Sequence, residues 1–344
     1  MLEDTALTEM TDHNLLTDIP GIRVGNCHDE HIVSGVTAIL FDIETVASGV
    51  TRGGAPGTRD CDLLRPEMSV QGVNAILLSG GSLFGLDAAG GAVAWLRKQR
   101  QGLAIGNQIV PIAAQAITFD LLNGGDKDWR HQPVYWHMGW QAAKAAKAGP
   151  FRLGSNGGGY GATTANFKGG LGSASAITHA GIRVAAIAVV NAVGSATIGD
   201  GPWFWAAPYE RDKEFGGYGQ PAHLPASDLN LKVKNSAPPS TTIALVVTDA
   251  VLTKSEATRL AIMADDGLAR AVRPAHAPMD GDTVFAVATL DKPLGDSSTA
   301  LMELGSLAAD CLARAIARGV YHASKPLNAY SGPPAFADVH NKQV

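Results

Sequence analysis

The chain has 344 residues, of which 46% are hydrophobic and 17% are charged, so it has the composition of an ordinary globular protein that can bury a large core. Its formal net charge of −5 excludes the dense basic surface that nucleic acid or anionic lipid requires, and small molecules or peptides are the expected partners. Cys27, Cys61 and Cys311 lie far apart without CxxC spacing, which argues against a disulfide framework or a structural metal site.

Strands and helices alternate in the N-terminal half. The first fifteen residues are polar and aperiodic, which predicts a loose arm, and their acidic residues are unlike a signal peptide. Strands are predicted over residues 35–41 and 73–78, followed by a helix over residues 82–100. A tryptophan-rich passage over residues 126–148 favours packing, with a pocket lining as the alternative. Because no stretch reaches membrane-spanning length, we expect a cytoplasmic protein.

The same alternation continues in the C-terminal half. Thr253 and Glu256 have the spacing of a helix capping box, and Gly319 is predicted to close the last helix as its C-cap. The predicted elements are a strand over residues 182–191, an irregular surface excursion over 202–239, a strand over 241–248, a helix over 253–272, a strand over 283–289 and a helix over 298–318. This order predicts layered α/β packing without fixing how the layers stack.

Two of the four candidate constellations lie next to these C-terminal strands. Ser240 and Thr241 follow a proline pair and open a buried strand, where a hydroxyl can attack the preceding carbonyl and, after scission, act beside the freed α-amine. Asp280 and Asp282 flank Gly281 at a turn into the next strand, where carboxylates can hold that amine. The alternatives are a simple strand start and a solvated turn.

The other two constellations lie earlier in the chain. Asn191 ends a buried strand, where its amide can donate to a developing oxyanion or, more commonly, cap a turn. The segment over residues 157–172 is rich in glycine, so the N–H groups of Gly158 and Gly159 can approach a ligand, and Lys168 is its cation. It lacks both nucleotide-binding fingerprints, GxGxxG and GK[ST], and an ordinary glycine-rich connection is the alternative.

Taken together, these motifs resemble the P1 or DmpA-type peptidase family. That family includes L-aminopeptidase/D-esterases, β-peptidyl aminopeptidases and endo-type 6-aminohexanoate-oligomer hydrolases. The similarity runs from residue 16 to about residue 319. The most specific passages are RGGAPGTR at 52–59 and LSGGSLFGLDAAGG at 78–91, and STTIALVVTDA at 240–250 and MDGDTVFAVAT at 279–289 also match.

The resemblance implies an α/β fold of the N-terminal-nucleophile-hydrolase type, a four-layered αββα sandwich shared with the ornithine acetyltransferases. It implies one domain over residues 1–344, made as a precursor and cleaved into an α subunit of residues 1–240 and a β subunit of residues 241–344. It also implies homo-oligomers, often tetramers of such pairs. The family needs no metal or other cofactor.

The resemblance also assigns roles to individual residues. Thr241 matches the nucleophile that opens the β subunit, Asn191 the oxyanion asparagine, and Asp280 and Asp282 the pair that supports the nucleophile. Lys168 is the counterpart of the family's active-site lysine, in a loop that is shorter than usual.

Two positions depart from the family pattern. Ser240 stands where many relatives have Asn, and Phe119 stands where the family has a tyrosine near the pocket. Phe119, Gly158 and Gly159 are the predicted substrate contacts. Cleavage before Ser240 is the alternative to cleavage before Thr241, and the STTI register favours Thr241.

The sequence therefore predicts a self-processing amide hydrolase, an aminopeptidase or amidase that acts through an acyl-enzyme on Thr241. Peptides with a small or β-amino acid at the N-terminus, amino-acid amides and linear ω-amino-acid oligomers are all admissible substrates. One alternative is an acyltransferase of the ornithine acetyltransferase kind. The other is an uncleaved, non-catalytic member of the family that binds ligands.

Overall fold

A long strand near the N-terminus organises the structure. The structure is a computed structural model that describes residues 13–234, 238–295, 298–326 and 329–340. The strands of the described residues are β1 (Ile22–Asp29), β2 (Ser34–Thr51), β3 (Thr58–Arg59), β4 (Gly72–Ser79), β5 (Leu103–Ile105), β6 (Gln108–Val110), β7 (Ala113–Ile117), β8 (Leu171–Ile177), β9 (Arg183–Asn191), β10 (Thr241–Val251) and β11 (Thr283–Pro293). The helices are α1 (Asp87–Lys98), α2 (Tyr135–Ala145), α3 (Lys254–Ala271), α4 (Ser298–Tyr321) and α5 (Phe336–His340).

Strand β2 belongs to both halves of the main sheet, whose order is β3-β7-β4-β2-β11-β10-β9-β8 with β1 also paired to β2. The first part of β2 pairs with β4, and its last part, from Val46 to Thr51, pairs with β11. An irregularity in the β2–β4 register lies between Leu40 and Thr45, and beyond it β4 pairs with Thr45 and Val46, where the pairing with β11 begins. Strand β10 is parallel to β11 and antiparallel to β9.

Side-chain alternation along the strands divides the interior into three apolar clusters. In β9, Ala185 and Ile187 face a central cluster that also contains Ile39 and Phe41 of β2, so the two halves of the sheet pack against each other. The other face of β9 packs on helices α3 and α4. The other face of β2 packs on α1 and α2. The layers therefore run helix, sheet, sheet, helix, and the predicted four-layered αββα arrangement is confirmed.

Helix α4 does not end at Gly319, so the predicted C-cap is wrong. The helix continues to Tyr321, and the glycines instead allow close packing between α4 and β8. A Cβ at Gly172 would lie 1.8 Å from the Ala315 carbonyl oxygen, and one at Gly170 would lie 2.3 Å from the Gly319 oxygen. By contrast, the predicted capping box of α3 is present, because the Thr253 side chain accepts a hydrogen bond from the Glu256 N–H.

One helix start differs from the sequence prediction, and two other predicted segments contain buried residues. The helix predicted from residue 82 begins at Asp87, because Ser82 has a φ of 53° and opens a 3₁₀ turn. Most of the predicted N-terminal arm lies outside the described residues, but Asn14 is buried. The excursion over residues 202–239 is irregular as predicted in its described part, although Phe204 and Phe215 contribute to the core.

Candidate active site

Thr241 begins strand β10 where three chain segments meet. Its strand partner across the antiparallel pair is Asn191, the last residue of β9. The preceding residue, Ser240, forms a parallel bridge with Asp280, just before β11. Thr241 itself is buried, with 3% of its surface exposed. The sheet register thus brings together the hydroxyl, the amide and the acidic turn that the sequence analysis identified separately.

The peptide between Ser240 and Thr241 is held in a polarising environment. The Ser240 carbonyl oxygen accepts a hydrogen bond from the Gly281 N–H at 2.9 Å and is also contacted by the Thr241 hydroxyl. The Ser240 N–H donates to the Met279 oxygen at 3.1 Å. Thr241 Oγ1 lies so close to the turn that a Cβ on Gly281 would be 2.8 Å away from it. A hydroxyl and a hydrogen-bond donor therefore converge on one carbonyl group.

The two carboxylates of the turn have different surroundings. Asp282 accepts the Thr242 N–H at 2.7 Å with one oxygen and the His276 N–H at 2.9 Å with the other. Asp280 accepts the Ala277 N–H at 3.0 Å, and the Val193 N–H also stabilises its charged form, while its buried Oδ1 makes no hydrogen bond of ordinary geometry with the described residues. Burial and the neighbouring charge of Asp282 raise the pKa of Asp280 to about 6. Asp280 is therefore the carboxylate with free hydrogen-bonding capacity.

His276 connects this turn to helix α3. Its Nδ1 lies 3.0 Å from Asp282 and its Nε2 lies 3.3 Å from Asp265, which is also 3.7 Å from Arg52. Hydrogen bonds to the two carboxylates raise the pKa of His276 to about 10, so the imidazole carries a positive charge at neutral pH. The sequence analysis missed this residue. A histidine four positions before Asp280 was the only signal.

The Asn191 amide has a defined orientation. Its Oδ1 accepts the Thr163 N–H at 2.9 Å and a hydrogen bond from Lys234 Nζ at 3.3 Å. Its Nδ2 donates to the Phe119 carbonyl oxygen at 2.9 Å, and the described residues provide no acceptor for the second Nδ2 hydrogen. Because donors surround Oδ1, a flipped amide would face them with its own N–H groups. The free hydrogen is the one that can stabilise an oxyanion.

Lys234 is a second residue that the sequence analysis missed. Its Nζ donates to the Asn191 carbonyl oxygen at 3.1 Å and to Ser240 Oγ at 3.2 Å, in addition to Asn191 Oδ1. Burial lowers its pKa to about 7, opposed by the negative charge of Asp280. Nothing in the surrounding NLKVKNS sequence distinguishes this lysine from a surface residue. Only the fold brings it to residue 240.

Lys168 is fully buried and is bonded within its own loop. Its Nζ donates to the carbonyl oxygens of Gly159, Ala162 and Gly169 at 3.1, 2.7 and 2.9 Å. It also lies 5.8 Å from the centre of the Tyr330 ring. Burial lowers its pKa to about 7. Three carbonyl acceptors use all three ammonium hydrogens, which is the arrangement of a residue that holds a loop together.

A cavity of about 580 Å³ lies next to the Ser240–Thr241 peptide. Its lining includes Phe119, Asp120, Leu122, Asn123, Thr163, Thr164, Ala165, Lys234, Pro238, Pro239, Ser331, Gly332 and Pro333. Thr241 does not line it. Pro238 and Pro239, which precede strand β10, form this wall of the cavity instead. Phe119 thus lies where the sequence analysis expected a substrate contact.

Gly158 and Gly159 do not line this cavity. The Gly158 N–H donates to Thr37 Oγ1 at 3.0 Å, and both glycines are buried. A Cβ on Gly159 would lie 2.1 Å from the Leu171 N atom, so this segment packs tightly between strands. The Gly159 N–H donates to the Asn156 carbonyl oxygen at 3.0 Å, so both N–H groups are used within the protein and the structure does not support the predicted ligand contact.

Two features are absent from the described residues. They contain no group of three or more His, Cys, Asp or Glu side chains arranged to hold a metal ion. None of their helices combines the length and the apolar character needed to cross a membrane.

Comparisons with known proteins identify the family of this chain. The profile of Peptidase family S58 matches residues 14–331. An uncharacterised aminopeptidase of Mycobacterium tuberculosis (strain ATCC 25618 / H37Rv) is 40% identical over 95% of this chain and 98% of its own length. A 6-aminohexanoate-oligomer endohydrolase of Kocuria sp. (strain KY2) is 28% identical over 82% of this chain and 77% of its own.

A solved structure shares the fold. The L-aminopeptidase D-Ala-esterase/amidase of Ochrobactrum anthropi superimposes with a TM-score of 0.67 over 93% of this chain and 89% of its own, at 21% identity. That structure is described as a new variant among the Ntn hydrolase fold. The αββα layering seen here is therefore that of a known fold.

Proposed function

We propose, from the premise that this chain belongs to peptidase family S58 and is a hydrolase of peptide or amide bonds, that it cuts its own Ser240–Thr241 peptide and then uses Thr241 as its nucleophile. The observation that carries the proposal is the convergence of the Thr241 hydroxyl and the Gly281 N–H on the Ser240 carbonyl. A hydroxyl at a polarised, buried peptide is the arrangement that an N-to-O acyl shift requires.

The proposed scission has two balanced steps. Thr241 Oγ attacks the Ser240 carbonyl carbon, the C–O bond forms, and the hydroxyl proton passes to the Thr241 nitrogen as the C–N bond breaks. The product is an ester with a free α-amine. Water then adds to the ester carbon and displaces Thr241 Oγ, leaving a carboxylic acid on Ser240. The Gly281 N–H stabilises the oxyanion of the first step.

The same groups serve substrate hydrolysis in this proposal. The freed amine of Thr241 takes the hydroxyl proton as Oγ attacks the substrate carbonyl, and it then protonates the departing amine. Asp280, with its unpartnered Oδ1, provides an acceptor for that amine. The free Nδ2 hydrogen of Asn191 receives the substrate oxyanion. Water releases the acyl group and restores Thr241.

The relatives suggest two substrate classes. One group is named as aminopeptidases and the other as hydrolases of 6-aminohexanoate oligomers. The cavity, about 580 Å³ with walls from Phe119, Leu122 and three prolines, fits a short chain with apolar methylenes. We therefore propose small peptides and linear ω-amino-acid amides as substrates. A single domain and a homo-oligomer of 1–240/241–344 pairs complete the proposal and rest on the resemblance, while a cytoplasmic location rests on the sequence pattern described above.

The test is intact-mass measurement of purified protein, followed by assay on a panel of amides. We expect two fragments, one ending at residue 240 and one beginning at Thr241. Thr241→Ala should abolish scission and lower hydrolysis by at least about 10³-fold, since a missing nucleophile removes the covalent route. Ser240→Ala keeps the nucleophile and should still be cleaved between residues 240 and 241, although more slowly because it loses the hydrogen bond from Lys234 Nζ. Fragments that begin at Ser240, or full activity from an uncleaved chain, would overturn the proposal.

A further inference from the structure

We propose that Lys234 is a positioning residue for self-processing, whose ammonium group holds Ser240 and Asn191 in the arrangement needed to cut the Ser240–Thr241 peptide. This inference rests on the proposed function. It assigns a role to a residue that lies outside the strands and motifs on which the proposed mechanism depends.

The geometry around Lys234 Nζ is that of a fully engaged ammonium ion. Its three acceptors are the Asn191 carbonyl oxygen, Asn191 Oδ1 and Ser240 Oγ, at 3.1, 3.3 and 3.2 Å. Ser240 Oγ in turn donates to the Pro238 carbonyl oxygen at 3.1 Å, so its lone pairs are available to the lysine. A neutral amine has only two N–H donors. The protonated form can therefore donate to all three acceptors at once.

These contacts connect both sides of the reacting peptide. Ser240 supplies the carbonyl that is attacked, and Asn191 is the strand partner of the attacking Thr241. The backbone N–H of Lys234 also donates to the Val193 oxygen at 3.0 Å, which anchors the lysine to the loop after β9. One side chain thus fixes residue 240 against the end of β9. Freedom of movement between these residues would lower the population of the attacking arrangement.

The charge of Lys234 favours the same step. Negative charge develops on the Ser240 oxygen during attack, and a nearby cation stabilises it in a partly desolvated site. The ionisable groups that act on Lys234 are Asp280, Asp120 and Lys168: the two carboxylates favour its charge, and Lys168 opposes it. Burial is the largest influence and lowers the pKa of Lys234 to about 7. The ammonium is therefore lost just above neutral pH.

A dependence of scission on pH follows. The wild-type rate should fall as pH rises through about 7, because Lys234 loses its proton and one of its three hydrogen bonds. Arginine stays charged over the whole accessible range. Lys234→Arg should therefore continue to process above pH 8, where the wild type has slowed. A lysine that only fills space would give no such difference between the two proteins.

The experiment follows scission of labelled full-length precursor made by cell-free translation, between pH 5.5 and 9, by gel. Lys234→Met should process on the order of tenfold more slowly at pH 6, where the wild-type ammonium is intact. Lys232→Met is the matched control, since Lys232 lies two residues away and pairs with Asp200 instead. That variant should keep the wild-type rate and pH profile.

The outcomes separate this inference from the proposed function. If the wild type is cleaved and Lys234→Met is cleaved equally fast with the same pH profile, the lysine has no role and the proposed function stands. If Lys234→Met does not fold, Lys234→Arg decides: an unchanged decline above pH 7 in that variant overturns the inference. If the wild-type chain is never cleaved, both the inference and the proposed function fail.

Discussion

The start of strand β10 and the glycine-rich segment over residues 157–172 both bring charged side chains close to backbone polar groups, but their hydrogen bonds differ. In the glycine-rich segment, Lys168 uses its three donors on backbone carbonyls and the Gly158 N–H donates to Thr37. At the strand start, a buried oxygen of Asp280 has no partner among the described residues.

This difference separates a structural region from a reactive one. Buried polar groups are nearly always hydrogen-bonded, so an unpaired one has a cost that needs a reason. A region in which every donor is used holds the fold together. A region with an unused carboxylate oxygen and an unused amide hydrogen can receive a new amine or an oxyanion. Substitutions should therefore affect chemistry at the strand start and stability around Gly158, Gly159 and Lys168, whereas Thr163, Thr164 and Ala165 of the same segment line the cavity.

The largest expected effect is at Gly281. In Gly281→Ala, the new Cβ would lie 2.8 Å from Thr241 Oγ1 and 2.9 Å from the Ala55 carbonyl oxygen, so the hydroxyl must move. A displacement of about 1 Å at a reacting atom costs on the order of 100-fold in rate. We expect that loss in the rate of self-processing, followed on a gel with labelled precursor.

The control for this substitution is Gly106→Ala, because a Cβ there meets nothing within 4 Å. Its φ of 60° costs some stability, but it should leave scission unchanged. Unimpaired processing by Gly281→Ala would show that the hydroxyl does not react from the position it has against this turn.

The next effect tests the glycine-rich segment. In Gly159→Ala, the Cβ would lie 2.1 Å from the Leu171 N atom, and a backbone atom cannot move aside easily. We expect the free energy of unfolding to fall by about 2 kcal/mol, in the usual range for overpacking. Self-processing should still reach completion below the melting temperature. A stable variant with a raised KM would instead restore the original prediction that this segment binds substrate.

The candidate residues at the start of β10 could be inferred from the sequence because they lie at the ends of predicted strands. Thr241 and Asn191 each lie at the boundary of a buried strand, and Asp280 and Asp282 precede a third strand. Family resemblance supplied their roles, and the layer arrangement came from the same source. Sheet pairing then brings them together by register, which sequence alone does not give.

Lys234 and His276 could not be inferred in this way. Lys234 lies in an irregular stretch after residue 202, where no periodicity fixes the direction of a side chain. Glycines were the other weak point. Gly319 was interpreted as a helix end and Gly158 as a ligand contact, whereas the glycines of this region allow close packing. A glycine marks the absence of a side chain, and the sequence does not say which neighbour occupies the space.

The smallest expected effect is at His276, which contacts the reactive region only through Asp282. Its pKa is about 10 in the folded protein, against about 6.5 for an unperturbed histidine, so the folded state binds the extra proton between these values. Its contribution to stability is therefore fully present below pH 6.5 and is lost as pH rises through 10. His276→Gln should lower the free energy of unfolding by about 1 kcal/mol at pH 6, because the imidazole is partly exposed to solvent.

The measurement is urea unfolding of wild type and variant between pH 6 and 10, with His179→Gln as the matched control. His179 also contacts a carboxylate, Glu303 at 2.7 Å, but on an exposed surface where an ion pair contributes little. The gap between wild type and His276→Gln should close with rising pH, while the control stays close to wild type throughout. A gap that stays constant with pH would mean that His276 packs against Asp282 without forming an ion pair with it. Asp282, and not His276, would then be the residue at which the reactive turn ends and its structural support begins.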